Sequence, residues 1–353
     1  MDIEPDAAAA AHDQDRVRRL THSALSRAEL LRPTDSTETP PDDELAHPAV
    51  VEVAHAAQRA LRQGPLPTGR RAELADGLDL ALEQARATPA DTRSTASWPV
   101  ELAGPQPHLA RAVTRALAGK PAAAAAPDRP ARPTTCAVAT WTDAEREIFD
   151  RAATLLAAVW PGMLDELTRT TRQIVLLRGE AIDGFTDFTV HGAVFLNRHR
   201  LTPETGPAGS PGIPGELRLA EALVHEGTHQ RCNAALVSTP FWSRDADRAG
   251  PVVTPLRADP RPLGGLFHQM VVLARGATFH RRLLDRLPDH LPGLLPGILP
   301  GRPIDREALR SGHARRLDDV RRAAATLDEH RSRLTEAGRR LLAQGITIAG
   351  APG

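Results

Sequence analysis

The residues of this chain whose types and spacing could do chemistry together are Leu223-Val224-His225-Glu226-Gly227-Thr228-His229-Gln230. On a helix, residues four apart share a face with Cβ atoms about 5–6 Å apart, so both imidazoles can reach one metal ion. Glu226 stands about 100° round the helix from His225, where its carboxylate can reach a metal-bound water. Leu217, Leu219, Leu223, Leu236 and Val237 supply apolar surface that buries such a helix. Two histidines on a buried helix are costly to leave unpaired, and a shared metal resolves that cost.

The chemistry then depends on a third ligand. A hydrolytic zinc site takes three protein ligands and a water. No glutamate occurs between Glu226 and Glu307, which speaks against the peptidase pattern with a downstream glutamate ligand. The histidine extension HExxHxxGxxH is also missing, since Cys232 and Asn233 follow and the next histidine is His268. Asp245 or Asp247 would serve an aspartate-ligand peptidase. His268 is the stronger candidate, expected in the third turn of a helix opened by Asp259-Pro260, because Asp is a favoured cap and Pro suits the first helical position. Arg261 would sit in the first turn of that helix, where a positive charge opposes the helix dipole. Together with Arg257 it offers a guanidinium fork suited to a carboxylate.

Several elements must position these groups. Apolar spacing predicts helices in 13–31, 47–64 and 72–87, a helix from 143 capped by Thr142 or Asp143, the motif helix from Glu216 to about Ser238, and terminal helices between about 304 and 343. The β-branched runs 173–179 and 188–197 read as two strands. The Pro/Ala-rich stretch 120–135 has linker composition and sets the expected boundary between a helical N-terminal region, 1–134, and a metal-binding catalytic domain, 135–353. The expected fold class is α+β, mainly α-helical, with a small sheet.

Composition narrows the function further. The chain has 353 residues, and 44 basic residues balance 44 acidic ones, which argues against a bulk electrostatic grip on nucleic acid. Two cysteines are too few for a disulfide framework. There is no apolar signal core at the start and no apolar run of about 20 residues, so a cytoplasmic protein without a membrane partner is expected.

The segments LVHEGTHQ and LRADPRPLGGLFH, about thirty residues apart, with HGAVFLNRHRL before them, resemble the HExxH-motif peptide-modification proteins of ribosomal peptide natural-product clusters. The resemblance spans roughly residues 140 to 345. It implies an Fe(II)- and 2-oxoglutarate-dependent dioxygenase that β-hydroxylates a residue of a precursor peptide. Carried over, the family's pattern falls on His225, Glu226, His229, Arg257, Asp259, Arg261 and His268. Metal would be held by His225, His229 and His268, and 2-oxoglutarate by Arg261 or Arg257. Two His and one further ligand leave three open positions on octahedral iron, two for the keto-acid and one for oxygen. The competing readings are a zinc metallopeptidase with Glu226 as general base and a non-enzymatic binding protein with a decayed motif.

Overall fold

The computed structural model describes residues 1–31, 40–87, 94–95, 98–119, 135–204, 212–248, 250–254, 256–286 and 305–350. Its helices up to the sheet are α1 (Ala7–Arg27), α2 (Asp42–Leu45), α3 (Pro48–Leu61), α4 (Thr68–Arg86), α5 (Pro107–Ala118), α6 (Asp143–Val159) and α7 (Pro161–Thr170). After the sheet come α8 (Gly215–Ser238), α9 (Arg244–Arg248), α10 (Leu263–Arg286), α11 (Arg306–Glu329) and α12 (Glu336–Ala349). The strands are β1 (Ser94–Thr95), β2 (Trp98–Pro99), β3 (Glu101–Ala103), β4 (Cys136–Val138), β5 (Gln173–Gly179), β6 (Gly184–Thr186), β7 (Ala193–Asn197), β8 (Val252–Thr254) and β9 (Arg257–Arg261). The protein is thus mainly helical with a small mixed sheet. Among the described residues no helix is long and apolar enough to cross a membrane.

The continuous apolar run of β5 suits a strand covered on both faces. It pairs in parallel with β3 and β7, while β4 pairs antiparallel with its last residues and β6 closes the far side of β7. Alternation then sorts the side chains. Ile174, Leu176, Val194 and Leu196 join a core with α6, α7 and α8. Val175, Leu177, Ala193 and Phe195 face the opposite way, against Leu109, Ala112 and Val113 of α5. The expected strand 188–197 is divided: Phe188–Val190 is a 3-10 turn, and Gly192, at φ +101°, redirects the chain before β7 begins. Only glycine takes that left-handed conformation without strain.

Thr142 is the cap of α6, with a reciprocal capping box to Glu145 that satisfies two otherwise orphaned N–H groups. The linker-like stretch falls largely on residues 120–134, outside the described residues. The chain on its two sides meets closely. β3 lies beside β5, and α1 packs on α7 and α8. Arg231 of α8 donates to Asp13 Oδ2 of α1 at 2.6 Å.

One expected element is corrected. Asp259-Pro260 does not open a helix; Arg257–Arg261 is β9, paired antiparallel with β8, and α10 begins at Leu263. A residue before proline is pushed out of the helical region into extended backbone. Asp259 precedes Pro260 and Arg261 precedes Pro262, so the doubled restriction outweighs the capping signal. Arg261 therefore stands on a strand, and His268 lies in the second turn of α10, not the third.

Helices α7 and α8 approach closely at Gly227, where a Cβ would come within 2.0 Å of Leu167 Cδ2. Gly227→Ala should therefore destabilise the protein by about 1–3 kcal/mol through overpacking, although alanine gains about 1 kcal/mol of helix propensity. Leu167→Ala should largely relieve that cost in the double variant. Urea denaturation of the four proteins in a double-mutant cycle measures it, and additive losses would contradict the close crossing.

Candidate metal centre

α8 carries His225, Glu226 and His229, and it is anchored by burial of Leu217, Leu219, Leu223 and Val224 in the core shared with α6, α7 and the sheet. Thr228, beside Gly227, is buried, with its hydroxyl donating to Val224 O of the same helix at 2.6 Å. The two histidines share a face as their spacing requires, with ring centroids 5.2 Å apart. His268 arrives from α10, its centroid 6.0 Å from that of His229. On its other side stands the Trp242 ring, at 6.1 Å. Trp242 reaches this position because residue 264 is glycine; a Cβ there would lie 2.5 Å from the indole.

With metal–nitrogen bonds of about 2.0–2.2 Å, two imidazoles on one ion at angles of about 90–110° have centroids roughly 4.5–5.3 Å apart. The His225–His229 pair already has that separation, and His229–His268 exceeds it by under about 1 Å. Among the described residues no group of three or more His, Cys, Asp or Glu side chains is already converged on a metal-sized point. His229 thus stands next to both His225 and His268, with the His268 ring set farther off than two ligands of one ion would be.

The surroundings keep these rings neutral, with nitrogen lone pairs available. Burial pushes His229 down to about 3, helped by His225 and His268. Burial likewise pushes His268 to about 4. For His225 burial and the nearby Arg200 guanidinium lower the value to about 4, with Asp183 opposing. The His225 side chain nonetheless keeps 52% of its surface accessible, so it lines an open cleft and is not sealed in the core.

Glu226 differs. Its side chain is buried, one carboxylate oxygen lies 3.9 Å from His225 Nε2, and the other has no hydrogen-bond partner among the described residues. Burial first, then the charge of Asp183, pushes its carboxyl up to about 8, with Arg200 opposing. The carboxyl packs against β6 because residue 184 is glycine; a Cβ there would meet Glu226 Oε1 at 2.7 Å. An uncharged carboxyl with an unpartnered oxygen beside the neutral His225 imidazole suits a place next to a cation, which would draw the proton off.

His225 and Glu226 line a cavity of about 500 Å³ that also holds Arg200, Arg315 and Arg316, with Asp183, Glu221 and Asp319. Arg200 Nε donates to Asp183 Oδ1 at 2.9 Å, and His199 Nε2 lies 2.8 Å from the same oxygen. Arg316 pairs with Glu221, one helical turn before His225 on the same face of α8. His280 Nε2 stands 3.5 Å from the other Glu221 oxygen. Burial lowers Arg316 to about 10, still charged at neutral pH. Arg315 is exposed at the rim.

The expected clamp residues lie elsewhere. Arg261 is half-buried on β9, opposite Val252, and does not line this cavity. The side chains of Arg257 and Asp259 lie outside the described residues. Of the alternative peptidase ligands, Asp245 is exposed on α9, and the side chain of Asp247 lies outside the described residues. Sequence reasoning missed Arg200, Arg315 and Arg316, which reach the cavity only through tertiary packing. Glu221 alone left a signal, four residues before His225. No family model matches the chain, and no curated protein matches it.

If the three rings form one centre, anaerobic titration with Co(II) should show one tight site per chain by its visible ligand-field bands. His229→Ala should abolish that site, and His268→Gln should weaken it by more than the roughly ten- to a hundred-fold that loss of an outer-shell partner costs. Unchanged affinity in His268→Gln would remove His268 from the ligand set.

Proposed function

We propose that the protein is an Fe(II)- and 2-oxoglutarate-dependent hydroxylase that modifies a residue of a ribosomally made precursor peptide. The observation that carries this reading is the juxtaposition of His225, His229 and His268 with an arginine-bearing cavity that opens at His225. A hydrolase requires a metal, a water and a base, and several guanidinium groups beside the metal go beyond that minimum. A keto-acid co-substrate is a dianion whose distal carboxylate calls for a paired arginine in a partly desolvated place.

His225, His229 and His268 would hold the iron. Bound together, iron and the keto-acid would activate dioxygen toward a C–H bond, one oxygen atom ending in the product hydroxyl and the other in the succinate formed as 2-oxoglutarate loses carbon dioxide. The chain's own contribution is positional. Arg315 and Arg316 offer N–H donors to a carboxylate, Glu221 fixes the direction of Arg316, and Asp183 restrains Arg200. Arg261 and Arg257 on β9 remain the second candidates for this clamp. The packed walls around Glu226 exclude water from the side of the site next to the sheet.

A zinc metallopeptidase is the second reading, favoured by the nearness of the Glu226 carboxyl to His225. There Glu226 would take a proton from a metal-bound water.

Succinate release, measured on anaerobically purified protein given Fe(II), 2-oxoglutarate and oxygen, should exceed the metal-free background and depend on His225. Arg315→Ala or Arg316→Ala should raise the 2-oxoglutarate requirement about ten- to a hundred-fold, the worth of a charge-assisted contact. Arg261→Ala, run in parallel, decides between the two arginine groups. Peptide cleavage with Zn(II) and no succinate with Fe(II) would establish the peptidase reading instead.

A further inference from the structure

A second concavity, about 520 Å³, lies between α1, α3, the 3-10 turn Phe188–Val190 and the last turns of α8. Its walls are mostly apolar: Val17 and Leu20 from α1, Ala54 from α3, Phe188, and Leu236 and Val237 from α8. Leu20 keeps 51% of its surface exposed, one of few large apolar side chains to do so among the described residues. Isolated exposed leucines are ordinary, but one at the lip of an apolar groove marks a surface suited to a partner.

The groove has a defined relation to the metal centre. At 100° per residue, Leu236 falls about 20° from His225 on the α8 wheel, and Asn233 falls about 40° from His229. The helical stripe that presents the histidines therefore continues as groove floor. Asn233 and Val237 lie roughly 6 and 12 Å along the axis from His229, at about 1.5 Å of rise per residue.

The rim carries net positive charge. Arg62 lines the groove and Arg59 stands beside it, both exposed and neither in an ion pair among the described residues. The nearby acid, Asp187, is already taken up by Arg115 at 2.8 Å. An apolar floor with unmatched arginines at one edge complements an acidic, leucine-bearing peptide segment.

We propose that this groove docks the peptide substrate, seating an apolar side chain about two to four residues from the residue presented to the metal, with an acidic neighbour facing Arg59 and Arg62. The spacing follows from the 6–12 Å offset and about 3.3 Å per residue of extended chain. The identification of the occupant as substrate rests on the hydroxylase reading; the docking itself does not need metal.

The test uses the full chain without metal and fluorescein-labelled short Gly/Ser peptides. One carries a Leu pair flanked by Glu, one has Ser for Leu, and one has Lys for Glu. The Leu/Glu peptide should bind, with the other two weaker by roughly tenfold or more, about 1.4 kcal/mol each. Leu20→Glu and Arg62→Glu, both at exposed positions, should each weaken it about tenfold while thermal melting stays unchanged. A photo-leucine version should crosslink to α1, α3 or the end of α8. Equal binding of all three peptides, indifference to both variants, or crosslinks elsewhere would overturn the proposal. So would sedimentation showing a dimer that Leu20→Glu dissociates, since a second copy would then cover the face. Peptide binding without succinate release under Fe(II) would leave the groove standing and remove the hydroxylase reading. Succinate release with Leu20→Glu binding unimpaired would do the reverse.

Discussion

Two histidine-bearing helices converge in this protein because one buried carboxylate holds both. Glu166 of α7, 2% exposed, pairs with Arg275 of α10 and stands 3.5 Å from Arg231 Nε of α8. Both arginines are fully buried. Arg231 completes its pairing on Asp13 of α1, and Arg275 donates to the carbonyls of Ile3 and Asp2, each at 2.9 Å. Removing one partner of such a network leaves an uncompensated buried charge, at about 3–5 kcal/mol. The charges thus fix the register of α8 against α10. His229 lies two residues before Arg231 and His268 seven before Arg275, so the separation of the rings follows from this network.

Close backbone approach does the rest. Gly227 lets α7 pack on the motif helix, Gly184 lets the Glu226 carboxyl lie against β6, and Gly264 lets Trp242 reach His268. Each contact puts a functional group against a wall that burial makes weakly polarisable. The three imidazoles stay neutral for that reason, while in the cavity Arg200 is paired with Asp183 and Arg316 with Glu221. The site therefore combines neutral nitrogen donors on one side with carboxylate-seeking cations on the other.

Much of this was legible in the chain. The HEGTH spacing places His225 and His229 on one helical face, the run 173–179 reads as a strand, and Thr142 is one of the two caps the sequence offers for α6. Legibility failed where two local rules conflicted: Asp259-Pro260 carries both a capping signal and a pre-proline restriction, and pairing of β9 with β8 decides between them. It failed again where position depends on distant chain. Glu101–Ala103 is too short to stand out as a strand until β5 supplies its partner, and nothing local to Arg200 or Arg316 announces that they share a cavity with His225.

The proposed function requires a metal held by three imidazoles from α8 and α10. X-ray absorption at the iron edge of anaerobically loaded protein tests it most directly, because multiple scattering from imidazole rings counts the histidine ligands. Three rings at about 2.0–2.2 Å are expected for the native chain and two for His268→Gln. Two rings in both proteins, or a shell of oxygen ligands alone, would contradict it.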